Sequence, residues 1–496
     1  MRYILALDQG TTSSRAILFD RHGSIAGVAQ RELPMRFPQS GWVEQDPRDI
    51  WQTQLHVAEQ VINVVGADLR EIAGVGIANQ RETTILWNRK TGEPIHPAIV
   101  WQDRRTADRC HDLIEQGLSN RVRAHTGLVI DPYFSGSKLA WLLDHVEGAR
   151  EKAKRGELAF GTVDSWLLWN LTGGKVHATD ATNASRTLLA NLRTGAWDPV
   201  MLQLFDIPRE VLPEIRDTSG RFGEIRCGST LDGLPILAMA GDQHAALFGQ
   251  ACFTPGMAKS TYGTGCFILL YTGERVVDSR HDLLSTLAWQ IDGKRSYAME
   301  GSVFIGGAVV QWLRDQMGLI DHASEIEALA GEVEDSGGLY FVPAFAGLGA
   351  PHWDASARGL VIGMTRGTTK AHFARAALES IAFQCSDVLE TMRRETPFPL
   401  RDLRVDGGAV ENNLLMQFQA DLMQAPVVRP EVTETTALGA AGLAGLAAHF
   451  WSSPEAFAAE WEVNHTFHPK IDAAAVEKLR EGWSRALDRC KRWDES

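Results

Sequence analysis

The sequence predicts a mixed α/β protein built on one plan used twice, with a cleft between the two halves. Three observations carry that expectation. Short apolar runs alternate with segments of helical spacing. The opening stretch LALDQGTTSSRAILFD, residues 5–20, reads as strand, hydroxyl-rich turn, strand. The later stretch MAKSTYGTGCFILLYT, from Met257, repeats that layout with Thr and Gly at its tip. The echo is structural and has no short period. The boundary is set near residues 248–252, which gives domains 1–248 and 249–496.

Taken in order, YILALD and RAILFD are two strands joined by a tight turn, and SIAGVAQREL is a third, completing a meander. DPRDIWQTQLHVAEQVINVVGA has helical spacing, with Asp46 as its cap and Pro47 at the first helical position. IAGVGIANQ and TTILWN are strands, whereas SGSKLAWLLDHV and WLLWNL are helical. PILAMAGDQHAALFGQ is an apolar strand that ends in Gly-Asp and runs into a helix of small residues. RVDGGAVENN is strand, Gly-Gly turn and helix start.

Bulk properties narrow the function. The 496 residues are 44% hydrophobic and 22% charged, with a formal net charge of −13. That charge argues against a duplex nucleic-acid binder, which needs a basic face to neutralise phosphates. Asp8 interrupts the first apolar run too early for a signal peptide. ALGAAGLAGLAAHFW, from Ala437, is too short and too rich in Ala and Gly to span a membrane. A cytoplasmic protein without membrane insertion is expected. Cys110, Cys227, Cys252, Cys266, Cys385 and Cys490 show neither C-x-x-C nor zinc spacing and read as reduced thiols.

The first turn fits a phosphate site. Its small residues let backbone N–H groups approach an anion, Thr11, Thr12 and Ser13 add hydroxyl donors, and Arg15 adds a cation. Asp8 at the strand end suits a hydrated Mg²⁺. A plain hairpin with polar turn residues accounts for the same stretch equally well. In the second turn, Thr264 is the donor, and Gly263 and Gly265 allow close approach. Gly408 leaves room for a flat ligand and Asn412 offers it a hydrogen bond, although Asn412 also suits a helix cap. No P-loop motif and no Rossmann glycine motif is present.

A small polyol is gripped by paired donors and acceptors and lined by apolar walls. Arg81 and Glu82 in ANQRETTILW offer the pair, and Trp101, Tyr133 and Phe267 offer walls, while each of these residues also has an ordinary structural use. Asp242 in AGDQHAA is the candidate general base, since phosphoryl transfer to a hydroxyl needs a carboxylate beside the acceptor oxygen. A helix-capping Asp fits the same spacing.

At these residues the chain resembles the FGGY carbohydrate kinases. YFSGSKLAWLLDH (Tyr133–His145) and GLVIGMTRGTTKAHFARAALE (Gly359–Glu379) match the two long family signatures. The resemblance continues in order through NQRETTILW, GTVDSWLLW, AGDQ, STYGTGCF, VPAFAGLGAP and RVDGGAVENN, and is weakest after about residue 450. It implies two duplicated actin-like, ribonuclease-H-like domains with the active site between them. It implies Mg²⁺ at Asp8, ATP phosphates at Thr11, Thr12, Ser13, Arg15 and Thr264, and further nucleotide contacts at Gly307, Gln311, Gly408 and Asn412. Glycerol is the implied acceptor, held by Arg81, Glu82, Tyr133, Asp242 and Gln243 with Trp101 and Phe267 along its carbons, and Asp242 is the implied base. A kinase for another small polyol or a pentulose, and an actin-like ATPase, are the alternatives. A homo-oligomer, dimer or tetramer, is expected by the same resemblance.

Two departures bear on regulation. Some relatives are inhibited by fructose 1,6-bisphosphate through an Arg in a Gly-rich loop, and Gly233 stands there in this chain. Others carry a phosphorylated His before the AGDQ strand, and residues 213–240 contain none. Neither control is expected.

Overall fold

The computed structural model describes residues 1–494. A 13-stranded sheet runs through the whole molecule. In the first half, strand Tyr3–Gln9 pairs antiparallel with Ser13–Phe19, which pairs antiparallel with Ile25–Glu32. On its other side Tyr3–Gln9 pairs parallel with Ile72–Asn79, and that strand pairs parallel with Pro235–Gly241. The second half repeats the pattern. Ala258–Tyr262, Cys266–Gly273 and Lys294–Val303 form the antiparallel meander, and Ala258–Tyr262 continues in parallel through Leu403–Asp406 to Val427–Pro430. The duplicated α/β layout expected from the sequence is therefore present strand for strand. The halves join edge to edge where Ser219 pairs with Ile291.

The central strands are buried on both faces. Ile4, Leu5, Ala6 and Leu7 have no exposed surface, which explains a continuous apolar run where a half-exposed strand would alternate. Each larger side chain contributes about 1.5–3 kcal/mol by this burial. Helix Pro47–Val65 covers one face. It begins at Asp46, whose side chain accepts from the Arg48 N–H, and ends at Gly66 in the left-handed conformation with φ 69°.

The strand equivalents are followed by equivalent helices, Asp242–Gly249 and Thr435–Ala447, which pack on each other between the halves. Their contact is backbone on backbone. A Cβ added to Gly439 would lie 1.7 Å from the carbonyl oxygen of Ala245, and one added to Gly249 would lie 2.0 Å from that of Thr435. The Ala/Gly-rich segment from Ala437 is thus small because two helices must approach closely. No helix among the described residues is long and apolar enough to cross a membrane.

Between Asn79 and Ser219 the chain inserts a largely helical region. Its own core includes Phe134, Phe160, Leu189 and Phe205. This insertion delivers Trp101, Tyr133 and Arg186 to the edge of the first half's sheet. The last part of the chain adds an edge strand, Val463–Phe467, and helix Ala473–Cys490.

Candidate active site

Three parallel strands of the first half end in register, with Gln9 opposite Asn79 and Asn79 opposite Gly241. Open α/β sheets bind ligands beyond such carboxyl ends. The register sets the first hairpin turn, the Arg81–Glu82 pair and Asp242 next to one another.

The hairpin turn is closed by the Gly10 N–H donating to the Ser13 carbonyl at 2.9 Å. Thr12 is exposed, and Thr11 and Ser13 are half-buried. The Trp101 indole N–H donates to the Thr11 hydroxyl at 2.9 Å, tying the aromatic wall to the turn. Asp8 is half-buried and stands opposite Arg15 across the strand pair. Burial pushes its carboxyl up to about 7; Arg15 opposes this, while the Glu434 and Asp242 carboxylates add to it. Arg15 is itself paired, with Nη1 2.6 Å from Oε2 of Glu434 at the start of the second interdomain helix.

In the second half, the Gly263 N–H donates to the Gly265 carbonyl at 2.9 Å, and the Gly307 N–H donates to the Gly263 carbonyl at 2.8 Å. The turn carrying Thr264 therefore docks on the start of helix Ala308–Asp315, which bears Gln311. Thr264 and Gln311 are exposed, and a Cβ on Gly307 would come 2.8 Å from the Gly263 oxygen. Beside it, Gly407 backs onto Tyr262 with φ 90°, and Gly408 is exposed with nothing within 4 Å of an added Cβ. There is thus open space beside Gly408, and the steric need for glycine falls on Gly407. Asn412 accepts from the Leu415 N–H at 2.9 Å, so its carbonyl oxygen caps helix Asn413–Met423.

The acceptor side is a buried charge cluster. Arg81 and Glu82 are adjacent in sequence, yet each has a nearer partner elsewhere. Arg81 donates to both oxygens of Glu300, at 2.6 and 2.8 Å. Arg186 donates through Nε to Glu82 at 2.7 Å and through Nη2 to Glu300 at 3.1 Å. Arg81 Nε lies 3.3 Å from Oδ1 of Asp242 and 3.8 Å from Glu82. Arg81 Nη2 donates to the Tyr133 hydroxyl at 3.3 Å. Glu82 holds φ 61°, an uncommon conformation for this residue that turns its side chain into the cluster.

Asp242 opens helix Asp242–Gly249, and its side chain is 29% exposed. Its side chain makes no N-terminal cap, the capping position being Gly241, and its Oδ1 accepts from the next residue's N–H at 2.7 Å. Burial raises its pKa against the pull of Arg81 and Lys259. Gln243 is buried, and its amide oxygen accepts from Lys259 Nζ. Trp101 sits 5.6 Å from Tyr133 and 6.2 Å from Phe267, both edge-on, so the wall draws on both halves.

Four buried residues of this cluster, Arg186, Lys259, His244 and Glu300, were not singled out from the sequence. Arg186 lies in the stretch TNASRT, where a lone Arg in a loop carries no local signal. Glu300 sits inside an otherwise ordinary strand. Only the meeting of distant segments marks either one.

The chain matches the FGGY family of carbohydrate kinases, N-terminal domain, over residues 3–249 and the C-terminal domain over residues 258–448. It is 57% identical over 492 residues to a glycerol kinase of Burkholderia pseudomallei, covering 99% of this chain and 98% of that protein. It is 56% identical to a glycerol kinase of Deinococcus radiodurans over 494 residues, 100% of this chain and 98% of that one. The crystal structure of Plasmodium falciparum glycerol kinase with ADP superposes with TM-score 0.92 at 36% identity, over 99% of this chain and 98% of that chain. With both family domains matched along the chain, the chain belongs to the FGGY family of carbohydrate kinases.

Proposed function

We propose that this chain transfers the γ-phosphoryl group of ATP to a primary hydroxyl of glycerol, giving sn-glycerol 3-phosphate for glycerol catabolism. The observation that carries the reading is that one buried guanidinium, Arg81, meets both Asp242 and Tyr133 of the aromatic wall, at the strand ends that also bear the Thr11–Ser13 turn. The names of the full-length relatives support glycerol as the acceptor.

In this reading Asp242 takes the proton of the attacking hydroxyl as its oxygen bonds to the γ-phosphorus. The bond from the γ-phosphorus to the bridging oxygen breaks and ADP leaves. Arg81, held by Glu300, keeps Asp242 ionised and offers a donor to the acceptor hydroxyls beside Tyr133 and Glu82. Gln243 is placed next to the base by Lys259. Trp101 and Phe267 cover the carbon face and exclude water, which otherwise competes as acceptor. Thr11, Thr12, Ser13, Arg15 and Thr264 are assigned to the phosphates, and Gly307, Gln311, Gly408 and Asn412 to the nucleoside. Closure of the two halves around both substrates belongs to the same proposal.

Asp8 is assigned to Mg²⁺. It is half-buried, it has no ion pair within 4.0 Å among the described residues, and burial pushes it up to about 7, so a cation relieves it. Among the described residues no group of three or more His, Cys, Asp or Glu is arranged to hold a metal. That fits Mg²⁺, which takes one or two carboxylates and completes its shell with water and phosphate oxygens. When bound, the ion supplies neutralisation of the phosphate charge.

Division at residues 248/249 is supported by the repeated strand plan, and falls one residue before the end of helix Asp242–Gly249. A dimer or tetramer rests on the resemblance alone. Cytoplasmic residence rests on six free thiols, five of them buried. The test is phosphoryl transfer from Mg·ATP to glycerol, dihydroxyacetone, erythritol, xylulose, ribulose and gluconate, followed by phosphorus NMR. Strong preference for glycerol is the expected result. A larger sugar turned over faster would replace the acceptor assignment.

A further inference from the structure

Glu300 is the hub of the buried cluster, and it stands in the second half of the chain, in strand Lys294–Val303. Its carboxylate is shared by two guanidinium groups, Arg81 at 2.6 and 2.8 Å and Arg186 at 3.1 Å. Asp242, Arg81, Glu300, Arg186 and Glu82 thus form a chain of alternating charge. Side-chain exposure along it is 29%, 2%, 0%, 0% and 2%, so only the Asp242 end meets the cleft.

The consequence is geometric. A guanidinium presents its N–H groups in one plane, and a two-point contact with a carboxylate fixes that plane. Glu300 takes the Nη end of Arg81, which turns the Nε edge to Asp242 and leaves Nη2 shared with the Tyr133 hydroxyl. Across the strand pair Glu300 is opposite Leu269 and Ser302 is opposite Phe267. Opposite residues share a face, and so do residues two apart, so Glu300 and the aromatic wall residue Phe267 rise from the same face of the sheet. The charge chain and the apolar wall therefore keep a set distance.

We propose that Glu300 is a positioning residue for the acceptor: by fixing the plane of Arg81 it selects which end of the polyol is presented to Asp242. Glycerol has two primary hydroxyls that differ only in handedness, so a tilted guanidinium accepts the molecule reversed. This rests on the glycerol reading above.

The test uses the full chain with Glu300→Gln and Glu300→Asp. The readouts are separate KM values for glycerol and Mg·ATP, and the ratio of the two glycerol phosphate enantiomers. For Glu300→Gln we expect the glycerol KM to rise about tenfold or more with the Mg·ATP KM within about twofold. The share of the opposite enantiomer should rise at least about tenfold. If Glu300→Gln does not fold, Glu300→Asp keeps the charge but retreats by one methylene, and is expected to move the same two readouts less far. Equal changes in both KM values, or unchanged enantiomer ratio in a folded variant, would overturn the proposal. Should the unaltered chain prefer another polyol, the glycerol reading falls, and the KM split is then measured on that polyol.

Discussion

Nε of Arg81 lies 3.3 Å from Oδ1 of Asp242, and the same guanidinium is held from its far end by Glu300. A carboxylate whose pKa burial raises is thereby kept beside a permanent cation at the mouth of the cleft.

Replacing this carboxylate removes the proton acceptor and little else. Asp242→Asn is expected to lower kcat by about 10²–10⁴-fold, the usual span for a general base. Glycerol affinity by calorimetry should stay within a few-fold. Near-normal turnover would take Asp242 out of that role.

The pH profile follows from the same environment. Asp242 must be ionised to accept a proton, and burial raises its pKa while Arg81 and Lys259 lower it. The kcat/KM for glycerol should therefore fall as pH drops through that raised value. Lys259→Met removes one lowering charge, so the acid limb should move to higher pH. A limb that moves the other way contradicts the assignment.

Stability carries a separate signature of Glu300. Its two guanidinium partners hold its pKa far below the ordinary value of 4.5, overcoming burial. The unfolded chain takes up this proton near pH 4 and the folded chain does not, so this contribution is complete above that range and is lost as pH falls below it. Glu300→Gln leaves two buried cations short of a partner and should cost about 3–5 kcal/mol at pH 7. Denaturant titrations should show that difference shrinking by about 1.4 kcal/mol per pH unit below pH 4.

Arg15 gives a nucleotide-specific prediction. Losing a charged hydrogen bond costs about 1.5–3 kcal/mol, so Arg15→Ala should raise the Mg·ATP KM by about 10–100-fold. The glycerol KM should be little altered. Its partner Glu434, 2.6 Å away, makes Glu434→Gln a second probe of the same site.

The interdomain contact is tested at Gly439. A methyl group there would lie 1.7 Å from the Ala245 carbonyl oxygen, so Gly439→Ala must push the two helices apart. Overpacking of this kind costs about 1–3 kcal/mol or more, readable as a lower Tm. An unchanged Tm would show that the helices slide freely.

Much of the site was legible because its residues stand in local patterns. Asp8 ends an apolar strand, Thr11–Ser13 form a tight turn, and Asp242 follows Gly241 at the opening of a helix of small residues. Asn412 had two readings that are compatible: its Oδ1 caps helix Asn413–Met423, and the proposed nucleoside contact falls to its Nδ2. Glu300 and Arg186 had no such pattern around them.

What the sequence by itself determined is the alternation of strands, turns and helices, the repeat of that plan, and the residue types at each strand end. Those follow from burial periodicity and turn chemistry, which act over a few residues. Tertiary structure alone decided the partners of Arg81 and Glu82. Their neighbours in sequence suggest a pair, but Glu300, 219 positions from Arg81, and Arg186, 104 positions from Glu82, take the short contacts. Charge pairing in a buried cluster is settled by which side chains lose water together, and that depends on how distant strands and the inserted helical region meet.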